Sequence, residues 1–200
     1  VGHKDGQQLP LQTVMDALRE PLNNPAIGKQ GHNADYDLIM LQRNGVDVKP
    51  VTFDTMIAEW LRSPDSKFLG LKNLARQELQ VDMTEISELI GTGKKQITMD
   101  AVSIERVAPY AAADAAITHR LADLLRPKLE ELNLVNLYEN LELPLIPIIA
   151  AIERVGVVLD KHYLAELSIK LSGMLAQVEE EIYTVSGYGK FNINDYHAQK

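Results

Sequence analysis

Apolar residues along the 200-residue chain change their period, and the changes mark out the elements. Val1-Gly2-His3 reads as the end of a strand and Asp5-Gly6 as a turn. Leu11, Val14, Met15 and Leu18 then recur at helical spacing, with Pro10 at the start and Pro21 closing the pattern. Ala26-Ile27-Gly28 is a short apolar run that suits a strand, and it leads to Gly31-His32-Asn33, where Asn33 can cap the next helix. That helix is predicted to bury Tyr36, Ile39 and Met40 and to stop at Asn44-Gly45. Val51-Thr52-Phe53 reads as a second short strand, after which Asp54 caps a helix carrying Met56, Ile57, Trp60 and Leu61. This alternation predicts an α/β layered domain.

The remaining pattern is helical. Leu71, Leu74, Ala75 and Leu79 mark one helix, Ile86 to Ile90 a short one, and Gly91-Thr92-Gly93-Lys94-Lys95 a loop without the spacing of a phosphate-binding loop. A long helix is predicted from Ile104 to about Leu129, interrupted at Pro109. Its middle, Ala111 to Ala116 around Asp114, is small enough for another element to approach closely. Composition changes near Asn133, and Leu134, Leu137, Leu141 and Leu143 begin a stretch that Pro144 and Pro147 would bend, as in a kinked connector. Gly156 ends it, Val157-Val158-Leu159 crosses over, and Asp160 caps a last helix. Leu164, Leu167, Leu171, Met174, Leu175, Val178 and Ile182 give that helix a narrow seam that calls for an antiparallel partner, so the unit is expected to be incomplete.

Composition narrows the function classes. Hydrophobic residues at 46% and charged residues at 24% are those of an ordinary soluble globular protein, and no apolar run approaches the roughly 20 residues of a membrane span, so a span is excluded and no membrane partner is expected. No cysteine is present, which rules out disulfides and thiolate chemistry, leaves any metal to oxygen or imidazole ligands, and leans towards the cytoplasm. A formal charge of −8 argues against a surface that coats nucleic acid, yet it leaves room for a nuclease, whose phosphodiester chemistry uses clustered carboxylates. The chain opens at Val1 without an initiator Met, as a piece of something longer would.

Three side chains stand out as candidates for chemistry. Asp37 lies one turn into the helix that follows Asn33, and Asp114 lies within the alanine-rich helix. Tyr110 precedes Asp114 by one turn, so the two share a helix face and can address one ligand atom. Spacing alone leaves a core tyrosine beside a surface acid equally open.

The strings around these residues are more specific. Gly31-His32-Asn33-Ala34-Asp35-Tyr36-Asp37-Leu38-Ile39-Met40-Leu41 resembles the second motif of the DEDDy exonuclease superfamily, and Tyr110-Ala111-Ala112-Ala113-Asp114 resembles its third. Tyr138 to Pro147, Ile152 to Asp160 and Phe191-Asn192-Ile193-Asn194 resemble the opening of the polymerase domain of bacterial family A DNA polymerases, a passage that an RNase D-like nuclease lacks. The resemblance covers essentially the whole chain. It implies an RNase H-like α/β exonuclease domain over residues 1–132, then the connector and thumb helix of the polymerase domain over 133–200.

Its functional implications are those of a proofreading 3′→5′ exonuclease in DNA replication and repair, using two Mg²⁺ or Mn²⁺ ions. By resemblance Asp114 binds one ion, Asp37 holds the second, Tyr110 orients the attacking water, and Asn33 with His32 positions the motif or the terminal nucleotide. The implied partners are a single-stranded DNA 3′ end and primer-template duplex along the thumb; separately, a truncated sheet edge or the exposed last helix offers a surface for another copy of the chain. The family's first motif, an Asp-x-Glu on the opening strand, has no counterpart before Gly31, and Asp35, Asp54 and Glu59 stand in the wrong context to replace it. The chain is therefore expected to begin after that motif and to have little activity alone. Ala113, often acidic in relatives, is outside the ligand set. Two alternatives remain: an exonuclease fold retained as an inactive spacer, and a non-enzymatic helical interaction module.

Overall fold

Lys29–Gly31 (β1) and Val51–Asp54 (β2) pair in parallel, joined by the crossover helix Ala34–Arg43 (α2). Parallel strands need such a crossover, because a tight turn cannot reverse the chain twice. The computed structural model describes residues 2–4 and 6–193, so Val1, Asp5 and Asn194, used above in a strand end, a turn and the distal thumb segment, lie outside the described residues. The chain divides into two units after Val155.

In the first unit, Thr55–Arg62 (α3), Leu71–Leu79 (α4) and Ile104–Glu131 (α6) pack around Phe53, Leu74, Leu121, Leu125 and Tyr138. The helical stretch Val135–Val155 (α7) closes a second cluster, in which Ile146 and Ala150 meet Leu38 and Ile39 of α2. Leu11–Asn23 (α1) and Ile86–Ile90 (α5) complete the set, with short 3₁₀ turns at Gly93–Lys95 and Met99–Ala101.

The differences from expectation have local causes. Gly2 and His3 are not in a strand; His3 Nδ1 meets the Val102 carbonyl oxygen and the Lys4 N–H donates to Asp100. The first strand begins at Lys29 instead of Ala26, because the Asn24 side chain and carbonyl accept the N–H groups of Ala26 and Ile27 and hold that stretch in a turn. In α1, Pro21 lies within the helix, which runs on to Asn23. The buried face of α2 is Ala34, Leu38 and Ile39, while Tyr36 and Met40 are exposed, since α7 covers the former side. Pro109 does not interrupt α6; the packing of the helix against α3 and α4 carries it through one missing hydrogen bond. Ala111, Ala112, Ala115 and Ala116 are exposed, so no described element packs closely on them.

The expected kink in the connector takes the form of a π turn over Tyr138–Glu142. Pro144 and Pro147 offer no N–H to the preceding turn, and the helix widens just ahead of them. By length and composition α7 is able to cross a bilayer, with a mean hydropathy of 1.2, contrary to the expectation from unbroken runs. Its burial of Tyr138, Ile146 and Ala150 against the α/β layers gives part of that apolarity a packing role.

The second unit is built on Lys161–Ser186 (α8). Asp160 Oδ1 accepts the N–H groups of His162 and Tyr163 at 3.0 and 2.9 Å, capping the helix as its sequence predicts. Gly187, at φ 70°, ends it in the left-handed conformation that glycine adopts without strain. Beyond it, Tyr183 donates to the Phe191 carbonyl at 3.0 Å and the two rings meet edge to face. Leu164, Leu171, Met174 and Leu175 are exposed.

Candidate active site

The site is organised by the end of the two strands. A Cβ at Gly31 would stand 2.7 Å from Ala34 Cβ, so only glycine lets β1 turn this sharply into α2. Asn33 follows at φ 63°, a left-handed conformation that asparagine tolerates. Its side chain does not cap α2 as the sequence suggests. The cap comes from Asp54 of β2, whose Oδ2 accepts the Ala34 N–H at 2.7 Å while its Oδ1 accepts those of Met56 and Ile57 at 2.9 and 3.1 Å. One buried carboxylate thus starts two helices. The backbone of Asp54 is held in turn by Tyr138, whose hydroxyl accepts the Asp54 N–H at 2.6 Å and donates to its carbonyl at 3.0 Å. Burial, ahead of other influences, pushes the Tyr138 phenol upward and keeps that donor protonated.

Around this corner opens a cavity of about 780 Å³ whose walls include His32, Asp37, Lys72, Tyr110 and Asp114. The structure therefore brings four of the five sequence candidates to one space, although Asp37 and Asp114 belong to different helices. Asn33 is exposed and is not among the lining residues. His32 Nδ1 lies 2.8 Å from Thr55 Oγ1; burial holds its imidazole below the usual range, opposed by Asp54, Asp114 and the Leu69 carbonyl. Asp37 keeps accessible surface, yet partial burial of its carboxyl, followed by the nearby charges of Asp54 and Asp35, holds it above the usual carboxylate range.

Sequence reading missed two features of this wall. Lys72, on the first turn of α4, places Nζ 3.2 Å from Asp114 Oδ1 and 4.1 Å from the centre of the Tyr110 ring. Gln30 Oε1 meets His119 Nδ1 at 2.8 Å, tying β1 to α6. No motif marks either pair; a helical reading of α6 does put His119 near the face of Ala115 and Asp114, which is the one signal available. A second cavity of about 730 Å³, lined by Leu38, Val48, Pro144 and Pro147 together with Arg126 and Glu139, contains none of the candidates.

Two carboxylates on one cavity, with an ammonium already resting on one of them, supply the hard oxygen donors and the negative field that suit a divalent cation. Among the described residues no group of three His, Asp or Glu stands together to hold an ion. Asp37 and Asp114 thus fit a metal in kind, as part of a ligand set.

The 3′-5′ exonuclease model of the DNA polymerase A family matches residues 3–130, well over half of the chain. The chain belongs to this exonuclease family. Similar curated proteins agree: DNA polymerase I of Chloroflexus aurantiacus is 43% identical over 197 residues, covering 97% of this chain and 20% of the relative. DNA polymerase I of Treponema pallidum is 35% identical, covering 92% of this chain and 18% of that protein. The chain spans about a fifth of the length of these relatives.

Solved structures share the exonuclease-family fold. The polymerase domain of Pol1 from M. smegmatis, in complex with DNA primer-template and dNTP, aligns with a TM-score of 0.69 at 22% identity, over 92% of this chain and 28% of that one. Brucella melitensis NrnC aligns with a TM-score of 0.60 at 24% identity, over 77% and 68% of the two chains. The α/β, RNase H-like fold class read from the sequence is that of these neighbours.

Proposed function

We propose that this chain is the part of a bacterial, cytoplasmic DNA polymerase I that carries Asp37, Tyr110 and Asp114 of a 3′→5′ proofreading exonuclease, followed from residue 133 by the opening of the polymerase domain. The observation that supports this best is the meeting of those three side chains on one cavity at the end of β1, in a chain matched by the exonuclease model. The substrate is a single-stranded DNA 3′ end, and α8 in the second unit is the thumb helix that meets primer-template duplex.

Asp37 and Asp114 would hold Mg²⁺ or Mn²⁺, with an Asp-x-Glu outside this chain supplying the remaining carboxylates. Divalent ions in such a site neutralise charge on the attacking and leaving oxygens of the phosphodiester. The residues of this chain act around that chemistry. Tyr110, one turn before Asp114 on α6, would orient the attacking water. Asp37, whose raised proton affinity disfavours its charged form, becomes fully ionised when positive charge arrives beside it. His32, kept neutral by burial and tied to Thr55, presents an uncharged ring edge to the terminal nucleotide.

The test is Mg²⁺-dependent release of the 3′ nucleotide by the intact polymerase. Asp114→Ala should lower it on the order of 100-fold, the scale on which one preorganised charged group acts, with primer extension retained. Unchanged release defeats the proposal. The ammonium of Lys72 on Asp114 favours one other reading, an exonuclease fold kept as an inactive spacer; it predicts no release from the unsubstituted enzyme either.

A further inference from the structure

Among the described residues Lys72 is the only lysine or arginine on the wall of the cavity, and its ammonium serves two partners at once. Nζ lies 3.2 Å from Asp114 Oδ1 and 4.1 Å from the centre of the Tyr110 ring, with a lysine side chain only 15% exposed. Both partners attract cations, the carboxylate by its charge and the ring by its quadrupole. Partial burial strengthens both contacts, because little water is left to screen them. Lys72 belongs to none of the motif strings that point to the exonuclease family.

We propose that Lys72 is a built-in competitor for the cation position on Asp114: its ammonium occupies the carboxylate oxygen and the tyrosine face that a divalent ion and its water require. This rests on the reading of Asp114 as a cation ligand. A divalent ion approaching Oδ1 meets a like charge 3.2 Å from that atom, so its binding is strengthened when the lysine swings away. The apparent affinity for the ion is then lowered by the fraction of molecules in which the pair is closed. The lysine stem allows this, since its four-carbon chain reaches other rotamers without moving α4. Lys72 is thus a positioning residue that holds Tyr110 and Asp114 in place in the metal-free protein and sets the divalent ion concentration at which they are released.

The experiment is Mn²⁺ binding to the intact polymerase, which carries the remaining carboxylates, read as the loss of the free-ion electron paramagnetic resonance signal. Lys72→Met should tighten binding about tenfold, the equivalent of about 1.4 kcal/mol. Lys72→Arg, which keeps the charge, should bind no better than the unsubstituted chain, and its far-ultraviolet spectrum checks that position 72 tolerates change. Lys72→Met combined with Asp114→Asn should lose the whole gain. Lys72→Met that binds no more tightly than the unsubstituted chain, or not at all, overturns the competition. If Asp114→Asn alone weakens binding in that case, the reading of Asp114 as a ligand survives while the competition fails. If Lys72→Met gains affinity that Asp114→Asn leaves intact, the ion sits elsewhere and both fall.

Discussion

Replacing Arg62 with alanine removes the counter-charge from a carboxylate that has no access to water. Glu59 is fully buried on α3, and its Oε2 takes a hydrogen bond from Arg62 Nε and an ion pair from Nη2, both at 2.7 Å. Arg62 also reaches Glu78 Oε1 on α4 at 2.6 Å, and Lys128 on α6 pairs with the other Glu78 oxygen. The network therefore fastens α3, α4 and α6, the last two of which carry Lys72, Tyr110 and Asp114 to the cavity. Among the described residues Glu59 Oε1 has no partner and Arg62 alone compensates this carboxylate.

Breaking a buried pair by removing one partner costs about 3–5 kcal/mol, because the remaining charge is left in a poorly polarisable site. Against a total stability of about 5–15 kcal/mol this is a large share. For a unit ending at Val155, each kcal/mol is roughly 2–4 °C, so the melting temperature should fall by about 6–20 °C. The assay is urea unfolding followed by fluorescence of Trp60, the only tryptophan, which directly follows Glu59 on α3. Adding Glu59→Leu to Arg62→Ala should recover most of the loss, since an apolar residue of similar volume removes the stranded charge. A loss below about 1 kcal/mol, the range of a surface pair, or a double variant weaker than Arg62→Ala alone, refutes the reasoning.

The other predictions concern the corner of the site. Asp37 binds its proton more tightly in the folded chain than in the unfolded one, so stability falls as pH rises from the ordinary value of 3.8 through the raised one. Asp37→Asn should therefore raise the melting temperature at pH 7, with a gain that shrinks as pH falls towards 4; no gain at pH 7 contradicts the assignment. Tyr138→Phe strips the Asp54 N–H and carbonyl of their shared partner in a buried place and should cost about 1–3 kcal/mol by urea unfolding. A Tyr138→Phe chain as stable as the original shows that other groups satisfy that backbone.

Much of this arrangement was legible in the sequence, and the limits of legibility are instructive. Elements whose signals are local came through: β2 with its Asp54 cap, α3, α4, the end of α2 at Asn44-Gly45, and α8 with Asp160. Boundaries failed where a side chain bonded to backbone nearby, as Asn24 does in delaying β1. The buried face of α2 was misread because Tyr36 and Met40 are large and apolar, while the positions facing α7 are set by tertiary packing that no period reveals. The strings around Asp37, Tyr110 and Asp114 single them out, and the three line one cavity; nothing local marks Lys72, because its contact with Asp114 joins α4 to α6 across 42 residues of chain.

Asp54 illustrates why the site and its support are hard to separate. Its side chain begins both α2 and α3, so it fixes the direction in which Asp37 leaves the end of β1. Its backbone is gripped by Tyr138, which lies 84 residues later in a stretch that resembles the opening of the polymerase domain. The strings alone suggest a boundary at residue 132; packing divides the chain after Val155, because Tyr138, Ile146 and Ala150 belong to the cores of the first unit. The helix that follows the segment matched by the exonuclease model, residues 3–130, therefore packs into the same unit. A change in α7 that loosens Tyr138 would be felt at Asp54, then at the start of α2, and so at the carboxylate of Asp37, without touching any residue on the wall of the site.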